Sequence, residues 1–153
     1  NFNVSDLMII HDHINLQPEN PLVGENIDEL GPRFPDMSEP YDETMIQQAL
    51  DIALEHKINI HKGVYVSVPG PNLETKAEYG YLRTIGGDNV GMSTVPEIIA
   101  ANHMGISCFA LSVITDMGIP ELLRKADITD IIAAAERAEP DLAFIFKTLI
   151  SIQ

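Results

Sequence analysis

Cations are scarce in this chain: 9 Lys and Arg stand against 23 Asp and Glu among 153 residues, a formal net charge of −14 with the histidines neutral. So acidic a surface repels nucleic-acid phosphates and anionic lipid headgroups, and neither a nucleic acid nor a membrane is an expected partner. Cysteine is nearly absent. The single one, Cys108, has no partner for an intramolecular disulfide, and Ile106, Phe109, Ala110 and Leu111 around it suggest a buried small hydrophobe in a reducing compartment. No apolar run approaches the ~20 residues that cross a bilayer. Asn1–Asp6 also carry neither the basic nor the apolar part of a targeting signal, so a cytoplasmic location is expected. The chain lacks G-x-x-x-x-G-K-[ST], G-x-G-x-x-G and G-x-S-x-G as well. Nucleoside triphosphate hydrolysis, dinucleotide redox chemistry and Ser-His-Asp hydrolysis thereby lose their main sequence support.

What is present reads as one globular α/β domain: 45% of residues are hydrophobic, with 10 Gly and 10 Pro. Leu7–Ile10 is a strand candidate, followed by the polar His11-Asp12-His13. Asn15–Pro40 holds too many Pro and Gly residues for regular structure, but Leu16, Leu22, Ile27, Leu30 and Phe34 predict an ordered loop. Met45, Ile46, Ala49, Leu50, Ala53 and Leu54 fall on one side of a helix over Asp42–Lys57. Val64, Val66 and Val68 alternate with Tyr65 and Ser67 as in a strand, which Pro69-Gly70-Pro71 ends. A helix over Thr75–Ile85 and a short strand at Val90–Met92 follow. Thr94-Val95-Pro96-Glu97 fits a capping box opening a helix to Met104. Ile106–Ile114 reads as a strand buried on both faces. Asp127 or Thr129 should cap a last helix that Pro140 kinks or divides. Such alternation predicts a largely parallel sheet.

Ligands of open parallel sheets gather where strands end and helices begin. That rule selects Pro69–Thr75, Gly91–Thr94 and Thr115–Gly118, so that Glu74, Ser93 and Asp116 can converge on one ligand. Each residue alone has a structural reading: Glu74 as a carboxylate in the first turn of its helix, Ser93 or Thr94 as a cap, Asp116 as a turn residue. Only their shared position favours function. His11 and His13 have strand spacing suited to two metal ligands, but no further Cys or His cluster completes a site, and no metal is expected.

Asp12-His13-Ile14-Asn15-Leu16, Arg33-Phe34-Pro35-Asp36-Met37-Ser38, Gly70-Pro71-Asn72-Leu73-Glu74-Thr75 and Val90-Gly91-Met92-Ser93-Thr94-Val95-Pro96-Glu97 closely resemble the trimeric purine nucleoside phosphorylases, in the family's order and approximate spacing. The resemblance implies a three-layer α/β sandwich with a mixed, partly closed sheet rather than a parallel one. It implies cleavage of purine nucleosides by inorganic phosphate to free base and ribose 1-phosphate, with no metal or organic cofactor. Glu74 then takes the place of the carboxylate that reads the purine N1–H edge. Leu73 falls where an aromatic residue often packs on the base. Met92 lies against ribose and Ser93 near phosphate. Thr115 and Asp116 match the strand end that reaches N7 and the 6-substituent. Phe34 matches the aromatic residue that enters a neighbouring subunit's pocket, which implies a homotrimer.

The chain departs from this pattern in three ways. It resembles only the C-terminal half of such an enzyme, without the Ser, His and Arg positions that bind phosphate, so the chain alone is expected to be incompetent. Asp116 replaces an Asn, and an ionised Asp only accepts hydrogen bonds, which favours a 6-amino purine. Ile128 stands where the family often has a His touching the ribose 5′-hydroxyl, and an apolar 5′-substituent suits it better. Asp116 and Ile128 resemble the methylthioadenosine phosphorylases, whereas Glu74 and Met92-Ser93 follow the purine nucleoside pattern. A catalytically silent purine-binding or subunit-contact module is the alternative outside enzyme chemistry.

Overall fold

The apolar run after Asp6 becomes the centre of the sheet in the computed structural model, which describes residues 2–153. The elements are β1 (Leu7–Asn15), α1 (Glu43–His56), β2 (Ile60–Ser67), α2 (Lys76–Thr84), β3 (Asn89–Gly91), α3 (Val95–His103), β4 (Ala110–Val113) and α4 (Ile128–Ser151). Leu7, Met8, Ile9 and Ile10 are all buried because β1 lies between β2 and β4 with both faces covered. Beyond them a bulge at His11 shifts the register, and the strand runs on through His13 to Asn15.

The sheet is mixed, in the order β3-β2-β1-β4. β1, β2 and β3 are parallel, while β4 runs antiparallel to β1, with Val113 opposite Leu7 and Ala110 opposite Ile10. The largely parallel sheet predicted from alternation is therefore corrected at β4. The sheet also curls. In a flat sheet the two edge strands would stand roughly 14 Å apart, three strand spacings. Instead, Asn89 Nδ2 on β3 donates to Ser112 Oγ on β4 at 3.1 Å. Side chains this short meet only if the edges turn toward each other, which gives the mixed, partly closed sheet of the expected α/β fold.

Local signals place most helix ends correctly. The Asp42 side chain accepts from Met45 N–H at 3.0 Å to start α1, and Lys57, in the left-handed region, ends it. Ile46, Ala49, Ile52 and Ala53 form its buried face, whereas Leu54 points to solvent, contrary to the predicted stripe. Asp127 caps α4, which continues through Pro140 undivided. α1 and α4 pack against each other, α1 also on β1 and α4 on β4, and Ile46, Ala138, Ile145 and Leu149 join the common core.

Two expectations need correction, at β4 and at Thr94. β4 covers only Ala110–Val113 and is half-buried, because it is an edge strand and not a doubly covered one. The strand expected from the alternation at Val64–Val68 is β2, in which the consecutive Tyr65, Val66 and Ser67 are all buried. Thr94 makes no side-chain cap, for its φ of 74° turns the backbone out of capping geometry.

The long loop is ordered, as expected. Asn26 Oδ1 meets His103 Nε2 at 3.1 Å, and Asn26 Nδ2 donates to Gly31 O at 3.0 Å. Arg33 donates to Leu22 O at 2.7 Å, and Asn102 Nδ2 donates to Pro40 O at 2.9 Å. Gly31 lies so close to the backbone of His103 that a Cβ there would overlap its carbonyl. Among the described residues, no helix is long and apolar enough to cross a membrane.

Candidate active site

The segment between β2 and α2 carries Glu74. Thr75 caps α2 and forms a reciprocal capping box with Glu78: Thr75 N–H donates to Glu78 Oε2 at 2.6 Å, and Glu78 N–H to Thr75 Oγ1 at 3.3 Å. Glu78 thus fills the role of first-turn carboxylate. Glu74 precedes the cap and is left half-buried with no part in holding the helix end. The same segment approaches β3, since any side chain at Gly70, whose φ is +62°, would collide with the sulfur of Met92.

Tyr79, one turn into α2, meets the bend that follows β4. Burial, then the carboxylates of Asp116 and Glu74, push its phenol pKa upward, with Glu74 also acting through a hydrogen bond. The phenol therefore stays protonated and neutral. Gly118 packs on the Tyr79 ring so closely that a Cβ would overlap it. The Thr115–Gly118 bend, which bears Asp116, thus packs on α2 through Gly118 and Tyr79, while Met92 sits against Gly70 in the segment that also bears Glu74.

The convergence does not follow the strand-end rule. Because β4 is antiparallel, its carboxyl end lies at the amino end of β1, away from the ends of β2 and β3. Curling of the sheet returns Asp116 to α2. Nothing local in the sequence singles out Tyr79, whose contact with Gly118 exists only in the folded chain.

The remaining predicted residues divide into two groups. Met92 is 38% and Leu73 49% exposed, both accessible to a ligand. Ser93 is exposed too, its Oγ 3.4 Å from Thr94 Oγ1, and neither hydroxyl caps α3. Thr115 is half-buried and Asp116 exposed in a bend after β4. Phe34 stands apart. Phe34 is 87% exposed beside the Arg33 guanidinium, on the rim of a ≈440 Å³ cavity that also contains His13, Leu22, Met37 and Ile99 but none of Glu74, Met92 or Asp116. Ile128, first residue of α4, is 71% exposed. A second cavity, ≈380 Å³, lies between the start of α1 and the end of α3 and is also separate from these residues.

Three of the five histidines are engaged in hydrogen bonds within the fold. His13 Nδ1 meets the buried Tyr41 hydroxyl at 3.1 Å, and burial lowers its pKa despite the nearby Asp12. His61 meets Asp6 at 2.7 Å, and His103 meets Asn26. Cys108 is buried, and burial raises its thiol pKa.

Residues 1–151 match the family model for the phosphorylase superfamily. The chain is 42% identical over 150 residues to purine nucleoside phosphorylase 1 of Bacillus subtilis, covering 98% of this chain and 55% of that protein. It is 44% identical over 158 residues to the purine nucleoside phosphorylase of Bos taurus, covering 99% and 55%. The fold is similar to that of a Schistosoma purine nucleoside phosphorylase in complex with hypoxanthine, at a TM-score of 0.90 and 38% identity, over 97% of this chain and 55% of that one. The chain spans about half the length of the curated relatives it matches.

Proposed function

The chain belongs to the phosphorylase superfamily, and from that premise we propose that it forms the base- and sugar-binding half of a purine nucleoside phosphorylase. The reaction is cleavage of the N-glycosidic bond of a purine ribo- or deoxyribonucleoside by inorganic phosphate, giving the free base and the sugar 1-phosphate. The observation that carries the reading is the packing of the Thr115–Gly118 bend on Tyr79 of α2, the helix that follows Glu74, with Met92 against the Gly70 turn of the same segment.

A transition state of oxocarbenium character places positive charge on the sugar and negative charge on the departing purine. Glu74 accepts from the N1–H edge and fixes the base, Leu73 packs on its face, and Thr115 and Asp116 face N7 and the 6-substituent. Protonated, Asp116 donates to N7 as the base leaves; ionised, it accepts from a 6-amino group. Met92 lies against the ribose, Ser93 approaches phosphate, and Ile128 borders the 5′ position. The exposed Phe34, away from its own chain's Glu74, suits the role of covering the sugar in a neighbouring subunit of a homotrimer. A lone, buried Cys108 suits a reducing, cytoplasmic setting.

Asp116 and Ile128 give a second reading some support: a methylthioadenosine phosphorylase, whose substrate has a 6-amino base and an apolar 5′ group. The decisive experiment is base release by the intact protein from inosine, adenosine and methylthioadenosine, with and without phosphate. Release that requires phosphate is expected. Equal release without phosphate refutes phosphorolysis, and a strong preference for methylthioadenosine selects the second reading.

A further inference from the structure

Gln17 lies just beyond β1, outside every motif that suggested function, yet it touches the ends of three strands' connections. Its Nε2 donates to Ser67 Oγ at 2.8 Å and Val68 O at 2.7 Å, and reaches Met92 O at 3.4 Å. Two carbonyl oxygens within reach fix which end of the amide is nitrogen. Ser67 is completely buried at the end of β2, and its Oγ lies 3.3 Å from Ser93 O. Because Gln17 Nε2 only donates, the Ser67 hydroxyl accepts from Gln17 and turns its own hydrogen to Ser93 O. The result is a polarised relay: amide to hydroxyl to carbonyl.

This relay ends on a strained turn. Thr94 has φ 74° and ψ −58°, a conformation that a β-branched residue adopts only when its surroundings enforce it. Its side chain supplies no cap to compensate. The carbonyls of the two preceding residues, Met92 and Ser93, are the ones drawn inward by Gln17 and Ser67. With both carbonyls held inward, the Ser93 and Thr94 hydroxyls remain side by side at the surface.

Resting on the phosphorolytic reading above, we propose that Gln17 and Ser67 are positioning residues that hold the Met92–Ser93–Thr94 turn in its strained, ligand-facing form. Their effect falls on phosphate and ribose. The base-reading Glu74 lies beyond the turn at Gly70, and the backbone bond from Val68 N–H to Gly91 O, 2.9 Å, joins the two segments without Gln17.

The test is a double-mutant cycle in the intact protein with Gln17→Glu and Ser67→Ala. A carboxylate of the same shape cannot donate, so Gln17→Glu sets like charge density against Val68 O and Met92 O and draws the Ser67 hydrogen away from Ser93. Phosphate KM, nucleoside KM and kcat are measured with inosine or adenosine, whichever the wild type cleaves, and free hypoxanthine or adenine binding is measured by calorimetry. Each variant is expected to raise phosphate KM at least tenfold and leave purine binding within twofold. The double variant should be less impaired than the product of the two single effects. If Gln17→Glu does not fold, Ser67→Ala, which deletes one oxygen, carries the test alone. A phosphorolytic wild type with unchanged phosphate KM in the variants, or with purine binding lost in parallel, overturns the positioning role. A wild type that releases base without phosphate overturns the underlying reading instead.

Discussion

Replacing Gly31 with Ala should detach the loop that carries Phe34. The added methyl would overlap the carbonyl oxygen of His103 and stand 2.8 Å from its carbonyl carbon, both backbone atoms at the end of α3 that cannot rotate away. The loop must therefore move. Movement takes with it Asn26, whose amide holds Gly31 O at 3.0 Å and His103 Nε2 at 3.1 Å. Overpacking of this kind costs about 1–3 kcal/mol, and losing the Asn26–His103 bond adds about 1 kcal/mol. A total of about 2–4 kcal/mol is expected if loop and core unfold together. If the loop opens by itself, the global loss stops at its own docking energy and the rest appears as faster amide exchange. Urea denaturation combined with hydrogen exchange over residues 22–35 separates the two. Gly80→Ala is the control: Gly80 is helical, with no heavy atom within 4 Å of a built Cβ. That change should stabilise the protein by about 0.5–1 kcal/mol. A Gly31→Ala protein of wild-type stability with unchanged exchange in the loop would refute the close docking of this loop on α3.

Glu74→Ala should lower kcat/KM on inosine or guanosine by about 30-fold or more, the equivalent of about 2 kcal/mol for a charge-assisted hydrogen bond. Steady-state rates equal to wild type would remove Glu74 from the site. Asp116→Asn should raise the inosine-to-adenosine ratio, because the amide can donate to a 6-oxo group, and an unchanged ratio rejects that role. His13, whose pKa burial holds below the usual 6.5, makes stability pH-dependent. The unfolded chain binds the proton near 6.5 and the folded chain only at lower pH, so stability should fall as pH drops below about 6.5. His13→Gln should flatten that slope in urea titrations between about pH 7 and 5, and an unaltered slope would assign it to other groups.

Much of this fold is written in short-range signals. Asp42, Thr75 and Asp127 cap their helices through side chains acting within three residues, so composition and spacing suffice to find them. The same proximity explains one error. Thr94 has the residue type and spacing of a cap, but its backbone is turned to φ 74° by a turn tied to Gln17 and Ser67, dozens of residues away in sequence. Leu54 fits the helical stripe yet faces water, because the position of α4 decides which side of α1 is covered.

The order of strands and helices, the acidic character, the ordered long loop and the polar residues after each strand were determined by the sequence itself, since periodicity, caps and turn chemistry act between near neighbours. Tertiary structure alone decided that β4 runs antiparallel and that the sheet curls until Asn89 meets Ser112. Those two facts bring the bend that bears Asp116 back to α2, where Gly118 packs on the Tyr79 ring. Strand direction and curvature arise from pairing between distant segments and from the helices packed on them, and no local run of residues encodes either.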